Sequence, residues 1–515
     1  MLDSSAVADV LSKAMPTGGR PRQLPVRSVL LGFLLAFSDG RPAQLSFAWR
    51  ALKKLGTKDQ LRLRAATAEH SGGRTKIKPV TYRQFSDAFS VMMRAIDPSP
   101  VPVFRPGDDR SAVLARARSG VEASKARELL DQVVDALLEA SVPERFKSAS
   151  ASLAVDWTDH ETWSRPRPQG DTEPANDPDA YWGHAKRNAP GASEQLFFGY
   201  YAQVATMVGD SGGDKVPELI RRVVFASTAL DPAMLMAAAL FRLARSGVAT
   251  GDVLADCGYS NRKAETWAAP LRTAGFSLVM DLHPNDRGTK GSFEGAVCAN
   301  GQLYCPMTPE ALFGHGPLKK GATKAEAEAH DTISAELARH KLGPVTKEEP
   351  DGYRRVMCPA AAGKVRCPLK AASLHLSAER PSITAVPASP PRCCAQSTIT
   401  VPPHVNEKTR QRHDYASPEH RKSYARRTAA ERAYASLADP STEGVRRGWS
   451  RMFGVAKNTL VYALCVVVRN LRIADSFDRS QRAGKARPRP RRRHHQLDRS
   501  AQGAQDKVEE RARGA

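Results

Sequence analysis

Apolar positions recur at steps of three and four through the first hundred residues, and that spacing predicts helices. The runs "LPVRSVLLGFLLAFSDG" and "PAQLSFAWRALKKLG" each end on a glycine stop, and "TYRQFSDAFSVMMRAI" keeps the same period. Residues 23–97 are therefore expected to be a small, basic, all-helical unit behind a flexible polar lead, 1–22, broken by "TGGRPRQ". A Pro-rich linker, "PSPVPVFRPGDDR", and an amphipathic helix, "SGVEASKARELLDQVVDALLEASVP", occupy 98–149.

From 150 the period changes to that of strands: "SASLAVDWT", "EQLFFGYYAQVATMVG" and "LIRRVVFASTAL", with "GDSGGDK" as a turn between the last two. A helix "PAMLMAAALFRLARSG", a strand "DVLADCGY", a helix "NRKAETWAAPLRTAG" and a strand "FSLVMDL" follow, up to 283. Strands followed by βαβ alternation imply an α/β fold with a mixed sheet and helices packed on it. Residues 284–415 are rich in Pro, Gly and Cys and lose the period, which predicts an irregular insertion. Helices return over 416–477, in "SPEHRKSYARRTAAERAYASLAD" and "KNTLVYALCVVVRNLRIADSF". The tail 478–515 is dense in arginine and nearly free of apolar residues, so it is expected to be disordered.

Charge narrows the partners. With 77 Lys+Arg against 54 Asp+Glu, the chain carries a formal net charge of +23, which predicts attraction to a polyanion, nucleic acid or an acidic membrane surface. The most apolar runs, "SVLLGFLLAF", "AMLMAAALF" and "TLVYALCVVV", are about half the roughly 20 residues needed to span a bilayer. The first residues lack the positive region of a secretory signal. A cytoplasmic protein with reduced cysteines and no membrane partner is expected.

Asp156 in "LAVDWTD" and Asp256 in "VLADCGYS" each follow an apolar strand and precede a turn, where a carboxylate either caps the turn or serves a site. In "YARRTAAERAYASLA", Tyr424, Arg427, Glu431 and Ala438 fall within roughly 60° of one another on a helix, a poor face for a core. Three carboxylates from two strands and a helix are the hard oxygen ligands that a pair of Mg²⁺ ions requires. Asp159 and Asp281 are rival carboxylates read as turn or cap residues, and Glu443 lacks the Tyr and Arg spacing of Glu431.

The pattern Tyr424-x2-Arg427-x3-Glu431 resembles the signature around the third acidic residue of bacterial insertion-sequence DDE transposases. "LAVDWT" and "DCGYS" are similar to that family's first and second aspartate segments, and "RRGWSRMFGVAKNTLVYALCVVVRNLRI" to its C-terminal helix pair. The resemblance covers roughly 150–475. It implies a ribonuclease-H-like catalytic core, split by the insertion. Asp156, Asp256 and Glu431 would hold two Mg²⁺ ions, with Mn²⁺ as a substitute, for DNA cleavage and joining. Tyr424 and Arg427 would contact the DNA backbone. The family's lysine seven positions after the glutamate is Ala438 here, and Arg432 is the neighbouring cation that could stand in for it.

By the same resemblance, the 23–97 unit would bind the element's terminal repeats in double-stranded DNA, and a homodimer would assemble on them. A Mg²⁺-dependent nuclease of the same fold and a non-catalytic DNA-binding copy are the alternatives, the latter favoured by Ala438. In the insertion, Cys298, Cys305, Cys358, Cys367, Cys393 and Cys394 admit a structural zinc. Their spacings, wider than the usual two to four residues, favour ordinary buried thiols, as do the surroundings of Cys257 and Cys465. "YWGHAKRNA" reads as a charged loop between strands, and His494 and His495 as part of a nonspecific basic tail.

Overall fold

Continuous apolar runs make a six-stranded mixed sheet the scaffold of this α/β protein, and helices cover both of its faces. The computed structural model of the 515-residue chain describes residue 2 and residues 7–15, 24–71, 74–148, 152–168, 171–185, 195–314, 316–319, 321–345 and 352–482. The chain forms two units, Met1–Ile473 and Ala474–Ala515.

Helices α1 (Val7–Ala14), α2 (Val26–Ser38), α3 (Leu45–Lys53), α4 (Thr57–Arg62) and α5 (Tyr82–Ile96) open the chain. The polar lead is not wholly flexible, because Val7 and Leu11 of α1 are fully buried. Nor is the next unit all-helical: strands β1 (Ala66–Ser71) and β2 (Arg74–Pro79) pair as an antiparallel hairpin between α4 and α5. Only Ala66 of that hairpin is buried, so its strands carry no apolar alternation to announce them. Helix α6 (Arg110–Arg118) shortens the expected linker, and α7 (Ala123–Ala140) and α8 (Glu144–Lys147) follow.

The sheet consists of β3 (Ser152–Glu161), β4 (Tyr181–Ala185), β5 (Gln195–Val208), β6 (Ile220–Ser227), β7 (Asp252–Ala255) and β8 (Ser277–Met280). Central β3 pairs antiparallel with Gly199–Val208 of β5, from Ser152↔Val208 to Glu161↔Gly199, and parallel with β7, which pairs parallel with β8. The other edge of β5 is shared: β4 pairs with its first residues and β6 with the rest, both antiparallel. The segment read as a charged loop thus contains strand β4, while 186–189 lie outside the described residues. Helices α9 (Pro232–Arg245), α10 (Cys257–Ser260) and α11 (Ala268–Thr273) connect the parallel strands. Met236, Leu240, Leu243, Trp267 and Leu271 from α9 and the α11 region cover Leu153, Val155 and Ala205 on one face.

The insertion is not irregular. It holds two three-stranded antiparallel sheets, β9 (Thr289–Phe293), β10 (Ala296–Ala299) and β11 (Gln302–Tyr304), then β12 (Gly343–Pro344), β13 (Arg354–Met357) and β14 (Thr398–Val401). Helix α12 (Lys324–His340) lies between them in sequence, opened by a capping box of Thr323 and Glu326, and α13 (Arg392–Ala395) precedes β14. Strands of two to five residues are too short to display a period.

The chain returns in α14 (Pro418–Tyr424), a 3₁₀ turn (Ala425–Arg427), α15 (Thr428–Ala438) and α16 (Val455–Arg482). The first residues of the expected disordered tail therefore continue α16, and 483–515, with His494 and His495, lie outside the described residues. Residues Leu460 to Val467 of α16 cover Tyr200, Ala202, Val204 and Phe225 on the second sheet face. The N-terminal helices join the same continuous cluster, with Phe37 stacked on Trp449 at 5.4 Å, rather than closing on a core of their own.

Two arginines interrupt the apolar run of β6, and both are buried, Arg221 at 0% and Arg222 at 2% exposure. Helix α7 supplies their counter-charges: Glu139 accepts from Arg221 Nη2 at 2.6 Å and from Arg222 Nη1 at 3.0 Å, and Asp135 lies 3.3 Å from Arg222 Nε. Removing one partner of a buried pair leaves a bare charge in the interior. Glu139→Gln is expected to lower stability by about 3 kcal/mol, read as a shift in the urea midpoint, whereas the exposed Lys125–Glu122 pair should be replaceable with a change within about 0.5 kcal/mol.

Candidate active site

Parallel pairing of β3 with β7 sets the first two carboxylates. The last paired residues are Ala154 and Leu254, and Asp156 and Asp256 each stand two positions beyond them, but Asp156 lies within β3, paired with Val204, and not ahead of a turn, because β3 continues along β5 to Glu161. Asp256 is in extended conformation as the N-cap of α10, its Oδ1 accepting from the Gly258 N–H at 2.9 Å. Asp156 Oδ1 accepts from the Trp157 N–H at 2.9 Å. A Cβ at position 258 would lie 2.7 Å from the Trp157 ring, so glycine there lets Trp157 reach Tyr259, 4.3 Å between ring centres.

The third carboxylate comes from far along the chain, and an arginine pair delivers it. The Asp252 carboxylate, buried at the start of β7, accepts from Arg426 Nη2 at 2.5 Å and Arg412 Nη1 at 2.6 Å; Arg426 Nη1 also donates to the Gly209 carbonyl at 3.0 Å. With Arg426 held against the sheet, the chain tightens into the 3₁₀ turn, so the expected single helix carrying Tyr424 through Ala438 is broken into two. Arg427 then projects to the carboxylates: its Nη1 lies 3.1 Å from Asp156 Oδ2, and its Nη2 pairs with Glu431. The Tyr424 ring lies 5.8 Å from that guanidinium and stacks on His420 at 5.7 Å and 8°. Tyr434 completes the frame, its hydroxyl 2.8 Å from the carbonyl oxygens of both Asp156 and Ala202.

Burial pushes the Asp156 carboxyl up to about 6, reinforced by the nearby Asp256 carboxylate and opposed by Arg427 and the Trp157 N–H. The Asp256 charge thus disfavours ionisation of Asp156, and a cation relieves that repulsion. Their hard oxygens suit Mg²⁺, but the cation present is Arg427. Among the described residues, no group of three or more His, Cys, Asp or Glu side chains is positioned to hold a metal ion. Arg427 engages Asp156 and Glu431 together.

The remaining candidates are placed elsewhere. Arg432 turns toward Glu218, to which its Nε donates at 3.1 Å. Asp281 accepts from the Tyr415 hydroxyl at 2.5 Å and pairs with Arg287, and Glu443 is buried against Arg472 at 2.7 Å. Asp159 lies within β3, not in a turn, and lines a cavity of about 230 Å³ with His160, Ala438, Arg446 and Arg447. Arg446 Nε donates to the Ala438 carbonyl at 2.9 Å. Nothing in the spacing of "STEGVRRGW" signals that these two arginines approach the position of the replaced lysine. No helix among the described residues is long and apolar enough to cross a membrane.

Because the folded-state value of Asp156 exceeds the model-peptide value of 3.8, the folded chain holds its proton more tightly than the unfolded one. Stability in metal-free buffer is thus expected to fall, by roughly 2–3 kcal/mol, as pH rises from about 4 through about 6. Asp156→Asn should flatten that fall and raise the unfolding temperature above pH 6, as measured by calorimetry across the window. No family model, curated protein or solved structure matches the chain.

Proposed function

We propose that the chain is a DNA transposase of the insertion-sequence DDE type, cutting and joining DNA at the ends of its element by two-metal-ion phosphoryl transfer. The observation that carries this reading is that Arg427 joins Asp156 on β3 to Glu431 on α15, residues remote in sequence, with Asp256 close enough to raise the Asp156 carboxyl. The sheet order β6-β5-β3-β7-β8, with antiparallel strands on one side of β3 and parallel strands on the other, supports a ribonuclease-H-like core. So does the position of the first acid on the central strand and the second just past its parallel neighbour.

Asp156, Asp256 and Glu431 would hold a pair of Mg²⁺ or Mn²⁺ ions, which would supply Lewis acidity for activating a water or 3′-hydroxyl and stabilising the leaving oxygen. The chain's own contribution is orientation. Arg427 offers a planar fork that fits a phosphate as well as the two carboxylates it now holds, with the Tyr424 ring 5.8 Å from it. Arg432 is engaged by Glu218, so Arg446 is the cation best placed to act where the family has its lysine. The basic N-terminal region, including Arg74, Lys76 and Lys78 on the exposed hairpin, suits the phosphate backbone of terminal repeats, with two chains pairing on two DNA ends.

Ala438 favours a second reading, a non-catalytic copy that binds DNA. The test is Mg²⁺-dependent cleavage of DNA carrying the element's ends. Native protein should yield 3′-hydroxyl ends and joined products; Asp156→Ala and Glu431→Ala should each lower the rate by at least about a hundredfold, and Arg446→Ala by roughly tenfold. Cleavage without joined products would indicate a nuclease, and specific binding without cleavage the second reading.

A further inference from the structure

Six of the eight cysteines lie in the insertion, and all six are buried. They enter from separate segments: Cys298 in β10, Cys305 just after β11, Cys358 just after β13, Cys367 in a turn, and Cys393 and Cys394 in α13. Cys305, Cys358 and Cys367 share one small cluster with Val365 and Ile383. The Cys394 sulfur is hydrogen-bonded to the sulfurs of both Cys305 and Cys393, at 3.9 Å in the second case. Cys358 lies within electrostatic reach of Cys305 and Cys367, and Cys394 of Cys367.

The local chain at these positions repeats. Cys305, Cys358 and Cys367 are each followed by proline. In two of the three turns the N–H two residues on, from Met307 or Leu369, donates to the cysteine sulfur. These donors oppose the Cys394 contact and burial that raise the Cys305 thiol, and the burial that raises the Cys367 thiol. Each turn is also tied to a different part of the insertion: the Cys305 N–H donates to the His340 carbonyl, that of Cys358 to the Ser397 carbonyl, and that of Cys367 to Ser373 Oγ.

Packing alone explains two of the six. Cys298 is hydrogen-bonded to Asn406, and the Cys393 sulfur fills space over Gly295. It does not explain sulfur-to-sulfur contact together with backbone donors aimed at sulfur. In a tetrahedral thiolate site with metal–sulfur bonds near 2.3 Å, adjacent sulfurs stand about 3.8 Å apart, close to the separation of hydrogen-bonded sulfurs. The four sulfurs are gathered here without yet surrounding one point as ligands.

We propose that Cys305, Cys358, Cys367 and Cys394 form a structural site for a thiophilic divalent metal, zinc by its affinity for four thiolates, that fastens the separate segments of the insertion. On binding, the thiols that are protonated release their protons to solvent. Lys370, within reach of Cys367 and Cys394, offsets part of the negative charge of the filled site. The site does not depend on the catalytic reading, and its failure would leave that reading untouched.

The test is elemental analysis of the full chain, purified under reducing conditions without chelator. About one zinc per chain is expected, and the cobalt-loaded protein should show thiolate-to-metal absorption of a tetrahedral site. Serine at Cys305, Cys358, Cys367 or Cys394 should lower the metal content at least about tenfold, while Cys298→Ser and Cys393→Ser should keep it. Should the serine variants fail to fold, native protein still decides: chelator should expose its four buried site thiols to a thiol reagent. Metal below roughly a tenth per chain, both as purified and after anaerobic zinc or cobalt addition, overturns the proposal. So does a Cys305–Cys394 disulfide as the stable form.

Discussion

A guanidinium cannot lie in a protein interior without oxygens to meet it, and that requirement fixes how the helices sit on the sheet. Arg221 and Arg222 on β6 require α7 with Glu139 and Asp135. Arg426 requires Asp252 on β7, which places the 3₁₀ turn and α15. Arg469 on α16 donates to the Glu218 carbonyl beside β6. Such pairs add little net stability over apolar residues, but each accepts one partner geometry, so they select a single docking of each helix where greasy surfaces alone would allow several.

The site inherits its order from these anchors. Arg426 and Arg427 are neighbours pointing to different acids, one to the structural Asp252 and the other to Asp156 and Glu431. The helical break between Tyr424 and Thr428 is the backbone's response to serving both. Arg427 also offsets part of the effect of burial and of the Asp256 charge on the Asp156 carboxyl. Under the proposed function, binding of an anion to Arg427 and of a cation to the carboxylates would be linked, each easing the other.

Strand content was legible wherever apolar residues ran without interruption: β3, β5, β6, β7 and β8 form where their patterns predict, and Asp156 and Asp256 were visible because they end such runs. The hairpin β1–β2 was hidden because its faces are both polar, and β4 because its Tyr, Trp and His read as a loop. The insertion's strands are too short for periodicity, although Thr323 and Glu326 do announce the start of α12. The broken helix was illegible for a different reason. Ala-Arg-Arg has good helix propensity, and only the distant Asp252 and Asp156 override it. Arg446, brought to Ala438 by a turn of no special composition, illustrates the same limit.

The shared cluster of the N-terminal helices and α16 bears on the order of events at the ribosome. Phe33, Phe37 and Leu30 emerge early, yet the Leu460–Val467 segment and Trp449 that help shelter this cluster come hundreds of residues later. At about 5–20 residues per second, the apolar flank of α2 stays unsheltered by them for tens of seconds. A shortened product ending before α16 would leave that flank open for good. A fragment of that kind would present exposed apolar surface of the sort that chaperones and proteases engage.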